Sequence, residues 1–162
     1  MWTCLLESWE SMDELRGRKI TLPSGSTAWW PCHISSDHIG TGCNIGALSH
    51  IGRDVELGDD CRIQGSVYIA DKSYLGNRVF VGPGAVITND RHPPSKGLWK
   101  PVFIGDDVVI GANSTIVAGV KLHSKCVIAA GSVVSTDVPA GEVWGGVPAK
   151  FMMTREDYEE RR

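Results

Sequence analysis

Residues 39–87 read IGTGCN IGALSH IGRDVE LGDDCR IQGSVY IADKSY LGNRVF VGPGAV I. An aliphatic residue stands at every sixth position, from Ile39, Ile45 and Ile51 through to Ile87, and the series resumes at Ile104, Ile110, Ile116, Leu122, Ile128 and Val134. Fifteen consecutive hits would arise by chance with a probability on the order of 10⁻⁹. Four residues after each aliphatic comes a compact residue (Cys, Ser, Ala or Val), Arg91 being the exception. The position directly after the aliphatic is Gly in eight hexads, which predicts a turn where glycine relieves the backbone. No helical period produces this pattern. A short strand and a corner repeated three times make an 18-residue triangular rung, and residues 39–138 hold five of them. At the ~4.8 Å spacing of paired strands such a stack is about 20–25 Å tall.

The repeat, seen in Ile39-Gly40-Thr41-Gly42-Cys43-Asn44, resembles that of the hexapeptide-repeat acyltransferases over roughly residues 34 to 151. The resemblance implies an all-β fold, a left-handed parallel β-helix. The hand comes from the family, because general crossover rules favour the opposite one. The expected organisation is an N-terminal cap at 1–33, a β-helix domain at 34–138 with one extruded loop at 88–103, and a C-terminal extension with a short helix at 139–162. Both ends of the stack present unpaired strand edges that need covering. Ser11-Met12-Asp13-Glu14 and Thr154-Arg155-Glu156-Asp157 each read as a helix-starting box, and Trp29-Trp30-Pro31 supplies bulk at the first end.

With 162 residues and a net charge of −3, the chain has room for one domain and no broad basic field for nucleic acid. No apolar run is long enough to span a membrane, and Met1–Glu10 lacks a basic stretch and a cleavage site. A cytoplasmic location is the expectation. Cys43, Cys61 and Cys126 share the compact inward register and are expected as reduced core filler. His33 and His38 have a His-x4-His spacing, a partial signature of the zinc-binding γ-type carbonic anhydrases, but the third ligand would fall before the repeat begins. No metal is expected.

The residue before each aliphatic should point outward and stack with its equivalent one rung away. One column is Asn44, Arg62, Phe80, Val109, Val127; the next is His50, Tyr68, Val86, Thr115, Val133; the third is His38, Glu56, Tyr74, Phe103, Lys121. The first two turn apolar toward the C-terminal rungs, and a patch of that kind is rarely left bare on a monomer. The resembling family is typically trimeric with its sites between subunits, which implies a homotrimer.

Between Ile87 and Ile104 the repeat is broken by Thr88-Asn89-Asp90-Arg91-His92-Pro93-Pro94-Ser95-Lys96-Gly97-Leu98-Trp99-Lys100-Pro101. Three prolines there cannot sit in a packed rung, and long loops on rigid scaffolds usually serve function. Thr88-Asn89-Asp90-Arg91-His92-Pro93 is similar to the motif of nucleotide-linked amino-sugar N-acetyltransferases. There the loop reaches the neighbouring subunit and its Asn lies at the acceptor amine. The resemblance implies acetyl-CoA as co-substrate and a nucleotide-linked sugar as acceptor. It implies a donor wall along Ile110-Gly111-Ala112-Asn113, Ile128-Ala129-Ala130-Gly131-Ser132, Asp137-Val138-Pro139-Ala140-Gly141 and Gly146-Val147-Pro148-Ala149-Lys150.

The residue types suit thioester aminolysis. Asn89 would hold the amine and Asp90 would fix the loop, or the two would simply form an Asx turn. His92 is the candidate general base. Ala112, Ala130 and Gly131 would let the pantetheine arm approach the main chain, with Lys150 and Arg155 as candidates for CoA phosphates. His50, Tyr68 and Arg91 are candidate acceptor contacts, and Trp99 is a stacking group or a loop anchor. His92-Pro93 also resembles the His-Pro of sugar O-acetyltransferases, where the His activates a hydroxyl. A non-enzymatic prism that binds partners on its faces is the remaining alternative.

Overall fold

The computed structural model describes residues 17–161; the box at Ser11 lies outside them. Its two-residue strands form three walls of a parallel β-solenoid. The first wall stacks Thr27–Trp30, Asn44–Ile45, Arg62–Ile63, Phe80–Val81, Val109–Ile110, Val127–Ile128 and Glu142–Gly146. The second stacks His33–Ile34, His50–Ile51, Tyr68–Ile69, Val86–Ile87, Thr115–Ile116 and Val133–Val134. The third stacks Glu56–Leu57, Tyr74–Leu75, Phe103–Ile104 and Lys121–Leu122. Bridges from Ile39 to Leu57 and from Leu122 to Val138 extend that third wall at both ends. Every expected outward column is reproduced in register, for example Asn44 opposite Arg62 and Tyr68 opposite Val86.

The solenoid has about seven turns rather than five, since the first wall counts seven parallel levels. The additional levels lie in segments assigned to the caps. Ala28 pairs beneath Ile45, His33 beneath His50, and Trp144 above Ile128. These end rungs depart from the hexad consensus because they are closed by antiparallel hairpins instead of further rungs. Arg18–Thr21 folds on Thr27–Trp30, and Ala149–Thr154 folds on Glu142–Gly146. The paired edges are thereby covered. Helix α1 (Arg155–Glu160) follows, with the expected box: Thr154 accepts from the Asp157 N–H, and the Asp157 carboxylate accepts from the Thr154 N–H.

The hexad aliphatics fill the prism, with Ile45, Ile63, Ile69, Ile87, Ile104 and Ile110 fully buried. The compact register tolerates polar atoms because each finds a main-chain acceptor. Ser49 Oγ donates to the Gln64 carbonyl at 2.9 Å and Ser114 Oγ to that of Ala129 at 3.0 Å. Cys43, Cys61 and Cys126 are buried free thiols, and burial pushes the Cys126 thiol up to about 12.

Two local expectations are corrected. The compact position that Arg91 would occupy is filled by Val102, which is fully buried and accepts from the Tyr74 N–H. Arg91 leaves the core because a guanidinium has no partner there. The left-handed backbone also falls elsewhere in the hexad. Positive φ occurs three residues after the aliphatic, at Leu48, Asp54, Asp60, Ser66, Lys72 and Arg78 among others. The glycines that follow the aliphatics serve close approach instead. A Cβ on Gly40 would lie 2.6 Å from the Gly58 main chain, and one on Gly82 would lie 2.6 Å from Ala112 N.

Candidate active site

The three corners of the prism repeat every rung, and each has its own chemistry. Between the third and first walls, Thr41, Asp59, Asn77 and Asp106 form a polar ladder. The N–H of each of the first three donates to the Oδ1 of the residue one rung on, at 2.7, 2.8 and 2.8 Å. Arg155 belongs to this corner. Its guanidinium donates to the Asp107 and Lys125 carbonyls, both at 3.3 Å, and pairs with Glu159. It clips α1 to the ladder.

Between the first and second walls the corner is smooth. Ala47, Gly65, Pro83, Ala112 and Ala130 hold the equivalent positions. Main-chain bonds stitch them together, among them Gly131 N–H to the Ala112 carbonyl at 2.8 Å and Asn113 N–H to the Pro83 carbonyl at 2.9 Å. Lys150 pairs in register with Gly145, where an added Cβ would lie 2.9 Å from the Ala129 Cβ at the top of this corner. Ala112, Ala130 and Gly131 thus share this corner, and Lys150 lies on the hairpin strand paired with Gly145.

Between the second and third walls the equivalent positions are Arg53, Asp71, Asn89, Ala118 and Thr136. The excursion leaves here and is fastened in four ways. Lys100 N–H donates to the Asn89 carbonyl at 2.7 Å and closes the base. Asn89 Nδ2 donates to the Asp71 carbonyl at 3.3 Å, one rung below. Arg91 donates to the Ala118 and Ser135 carbonyls at 3.1 and 3.2 Å, on the rungs above. The Asp90 carboxylate accepts from the His92 and Ser95 N–H groups at 3.1 and 2.9 Å, an Asx-type turn. The Ser95 N–H foremost holds the Asp90 carboxyl below the usual carboxylate range. The His92 side chain is exposed, and the tip offers Leu98, 81% exposed, beside Trp99.

His50 and Tyr68 lie on the outer face of the second wall, in a stacked column with His33. Ring centroids are 4.7 and 4.8 Å apart. Burial and then the His33 charge lower the His50 imidazole, against an opposing pull from Asp71. His38 lies on the third wall, away from His33. Sequence reasoning passed over Arg53 and Asp71. The signal was available, because Arg53, Asp71 and Asn89 recur at 18-residue intervals in one hexad position. Arg53 donates to the Asp71 carboxylate through its N–H, Nε and a terminal nitrogen at 2.9, 3.0 and 2.9 Å.

Within one chain, the loop corner and the smooth corner stand at opposite ends of the second wall. Ala112 and Ala118 are six residues apart along that strand and its flanks, or about 15–20 Å of extended chain. Within one chain the Asn89 corner and the Ala112 corner are therefore kept apart by the second wall.

Comparison with known proteins agrees with this architecture. A bacterial transferase hexapeptide (six repeats) profile matches residues 38–71 and 54–89, and a hexapeptide repeat of succinyl-transferase profile matches 101–136. Together they cover more than half of the chain, which belongs to the hexapeptide-repeat transferase family. A 2,3,4,5-tetrahydropyridine-2,6-dicarboxylate N-acetyltransferase of Staphylococcus aureus (strain JH9) is 42% identical over 87 residues, 54% of this chain and 35% of that protein. The match therefore spans about a third of the length of such curated relatives. Among solved structures, the acetyltransferase domain of PglB from Neisseria gonorrhoeae FA1090 superposes with a TM-score of 0.70 at 21% identity, covering 90% of this chain and 64% of that one. A hexapeptide-repeat-containing acetyltransferase of Vibrio cholerae O1 biovar eltor, complexed with acetyl coenzyme A, gives 0.56 at 28% identity over 70% of each chain.

Proposed function

We propose that the protein is an acetyl-CoA-dependent N-acetyltransferase acting on an amino sugar carried on a nucleotide, as a homotrimer with each site between two chains. The observation that carries the reading is the separation of the smooth corner from the Asn89 loop across the second wall. A thioester lying along Ala112 and Ala130 of one subunit meets the acceptor only where a neighbour's loop closes over it. The part-exposed apolar residues Phe80 and Val109 on one wall and Val86 and Val133 on the next give the neighbour a surface to pack on, whereas Val127, expected in the first of these columns, is already buried within the chain. The N-acetyltransferase name of the Staphylococcus relative and the acetyl coenzyme A in the Vibrio structure support donor and reaction class.

In this reading the pantetheine arm runs along Ala112, Ala130 and Gly131, with Lys150 at a CoA phosphate. Arg155, engaged by Glu159 and by the Asp107 and Lys125 carbonyls at the polar corner, is the weaker candidate for that role. The unprotonated acceptor amine attacks the thioester carbonyl: a C–N bond forms, the C–S bond breaks, and the departing sulfur takes up the proton that the nitrogen releases. Asn89 receives an N–H of the amine and aligns it, the largest lever available when no covalent intermediate is needed. Asp90 and Arg91 hold the loop, and His50 and Tyr68 line the acceptor side. His92 is the candidate for the proton.

Thiol release from acetyl-CoA tests the reading, with nucleotide-linked amino sugars, a tetrahydropyridine dicarboxylate and neutral sugars as acceptors. Turnover with the first group alone is expected, and its absence with every amino sugar would overturn the proposal. Asn89→Ala should lower kcat by about 10²-fold, while His92→Ala should cost an amine acceptor far less than it would cost a hydroxyl.

A further inference from the structure

We infer that Asp71, braced by Arg53, is the positioning residue of the acceptor site, its main-chain carbonyl fixing which atom of the Asn89 amide faces the substrate. The inference rests on the reading of Asn89 as the group that receives the acceptor amine. Asn89 and Asp71 are one rung apart in the same hexad position, the relation that Asn77 bears to Asp59 at the polar ladder. There, Asn77 Oδ1 accepts from the Asp59 N–H at 2.8 Å, which turns the oxygen toward the rung below. Asn89 departs from that pattern. Its Nδ2 donates to the Asp71 carbonyl at 3.3 Å. A carbonyl only accepts, so the amide must turn its NH₂ toward Asp71, and Oδ1 is committed to the opposite side. An oxygen so held accepts an N–H from an incoming amine and repels a carbonyl or phosphate oxygen.

The support beneath Asn89 is built to stay in place. The Asp71 carboxylate takes three hydrogen bonds from Arg53, one from the main chain and two from the guanidinium fork. The Lys72 N–H returns a bond to the Arg53 carbonyl at 2.8 Å. Burial by itself would raise the Asp71 carboxyl, but the Arg53 bonds and charge outweigh it and keep the group ionised. Three bonds from one residue commit this carboxylate to the brace. It fixes the corner whose carbonyl Asn89 uses. The closure bond from Lys100 to the Asn89 carbonyl holds the same residue from the loop side.

Four variants test this: Arg53→Ala, Arg53→Lys, Asn89→Asp and Asn89→Ala. Asn89→Asp keeps an acceptor oxygen but cannot donate to the Asp71 carbonyl, so its kcat should fall as far as that of Asn89→Ala. An Asn89→Asp enzyme close to wild type would overturn the proposal. Arg53→Ala should lower kcat about tenfold with the acetyl-CoA KM unchanged, a small displacement being costly at this distance from the reacting atoms, and Arg53→Lys should recover part of the loss. A lowered Tm with unchanged kcat would reduce the pair to a structural role. The crystal structure of Arg53→Ala gives a readout independent of turnover. The Asn89 amide should have left the Asp71 carbonyl, and an undisturbed contact would sink the inference even if the wild-type enzyme proved to use another acceptor.

Discussion

Leu48 has φ 62° and is 68% exposed, so its branched side chain bears the left-handed backbone without compensating burial. Asn tolerates that region far better. Leu48→Asn should therefore stabilise the fold by about 0.5–1 kcal/mol, seen as a raised Tm. The glycines face the opposite constraint. A methyl group on Gly82 meets the Ala112 nitrogen of the rung above, and main chain cannot yield as a flexible side chain does. Gly82→Ala should cost about 1–3 kcal/mol by denaturant titration. Sequence reading gave the glycines the backbone relief that falls two residues later, and did not single out the left-handed position. Glycine signals either positive φ or close approach, and the letter alone does not say which. Charged residues such as Asp54, Lys72 and Arg78 at the left-handed position conceal it further.

The loop is the element on which function turns, and its base is tied more firmly than its composition suggests. Asp90 accepts from two N–H groups, so its folded carboxyl titrates below its unfolded one. A depressed acid contributes stability that is fully present above the unfolded value, about 3.9, and is lost as pH falls through the lower folded value. Hydrogen exchange at the Ser95 amide should accordingly show protection near pH 6 that fades below about pH 4. In Asp90→Asn the exchange should lose most of that pH dependence. The excursion was legible in the sequence from its prolines and its break in period, and so was the Asx turn. Its fastening was not. Arg91 reaches carbonyls 27 and 44 residues away in sequence, and the anchor of Asn89 shows only when Arg53 and Asp71 are seen as one column. The return point Val102 was hidden by continuing the count from Ile87 instead of counting back from Ile104.

At the scale of the whole molecule the repeat fixes walls, columns and core, because a six-residue period leaves the chain one way to bury its aliphatics. The number of turns was less accessible, since hairpin-closed end rungs abandon the consensus. One consequence of the 18-residue rung is that three corners of different chemistry run the length of the prism. On the proposed function, the smooth and loop corners, separated by the width of the second wall, put donor and acceptor machinery on different sides of one subunit. The account therefore requires two chains for every site. The most direct measurement is complementation between two inactive variants, Asn89→Ala at the loop and Ala130→Trp at the smooth corner, each purified, mixed in equal amounts under dissociating conditions and reassembled. If loop and wall come from different subunits, the reassembled mixture as a whole regains about a quarter of wild-type activity, the chance that an intact loop meets an intact wall. Reassembled mixtures as inactive as the separate variants would contradict the account and return the whole site to a single chain.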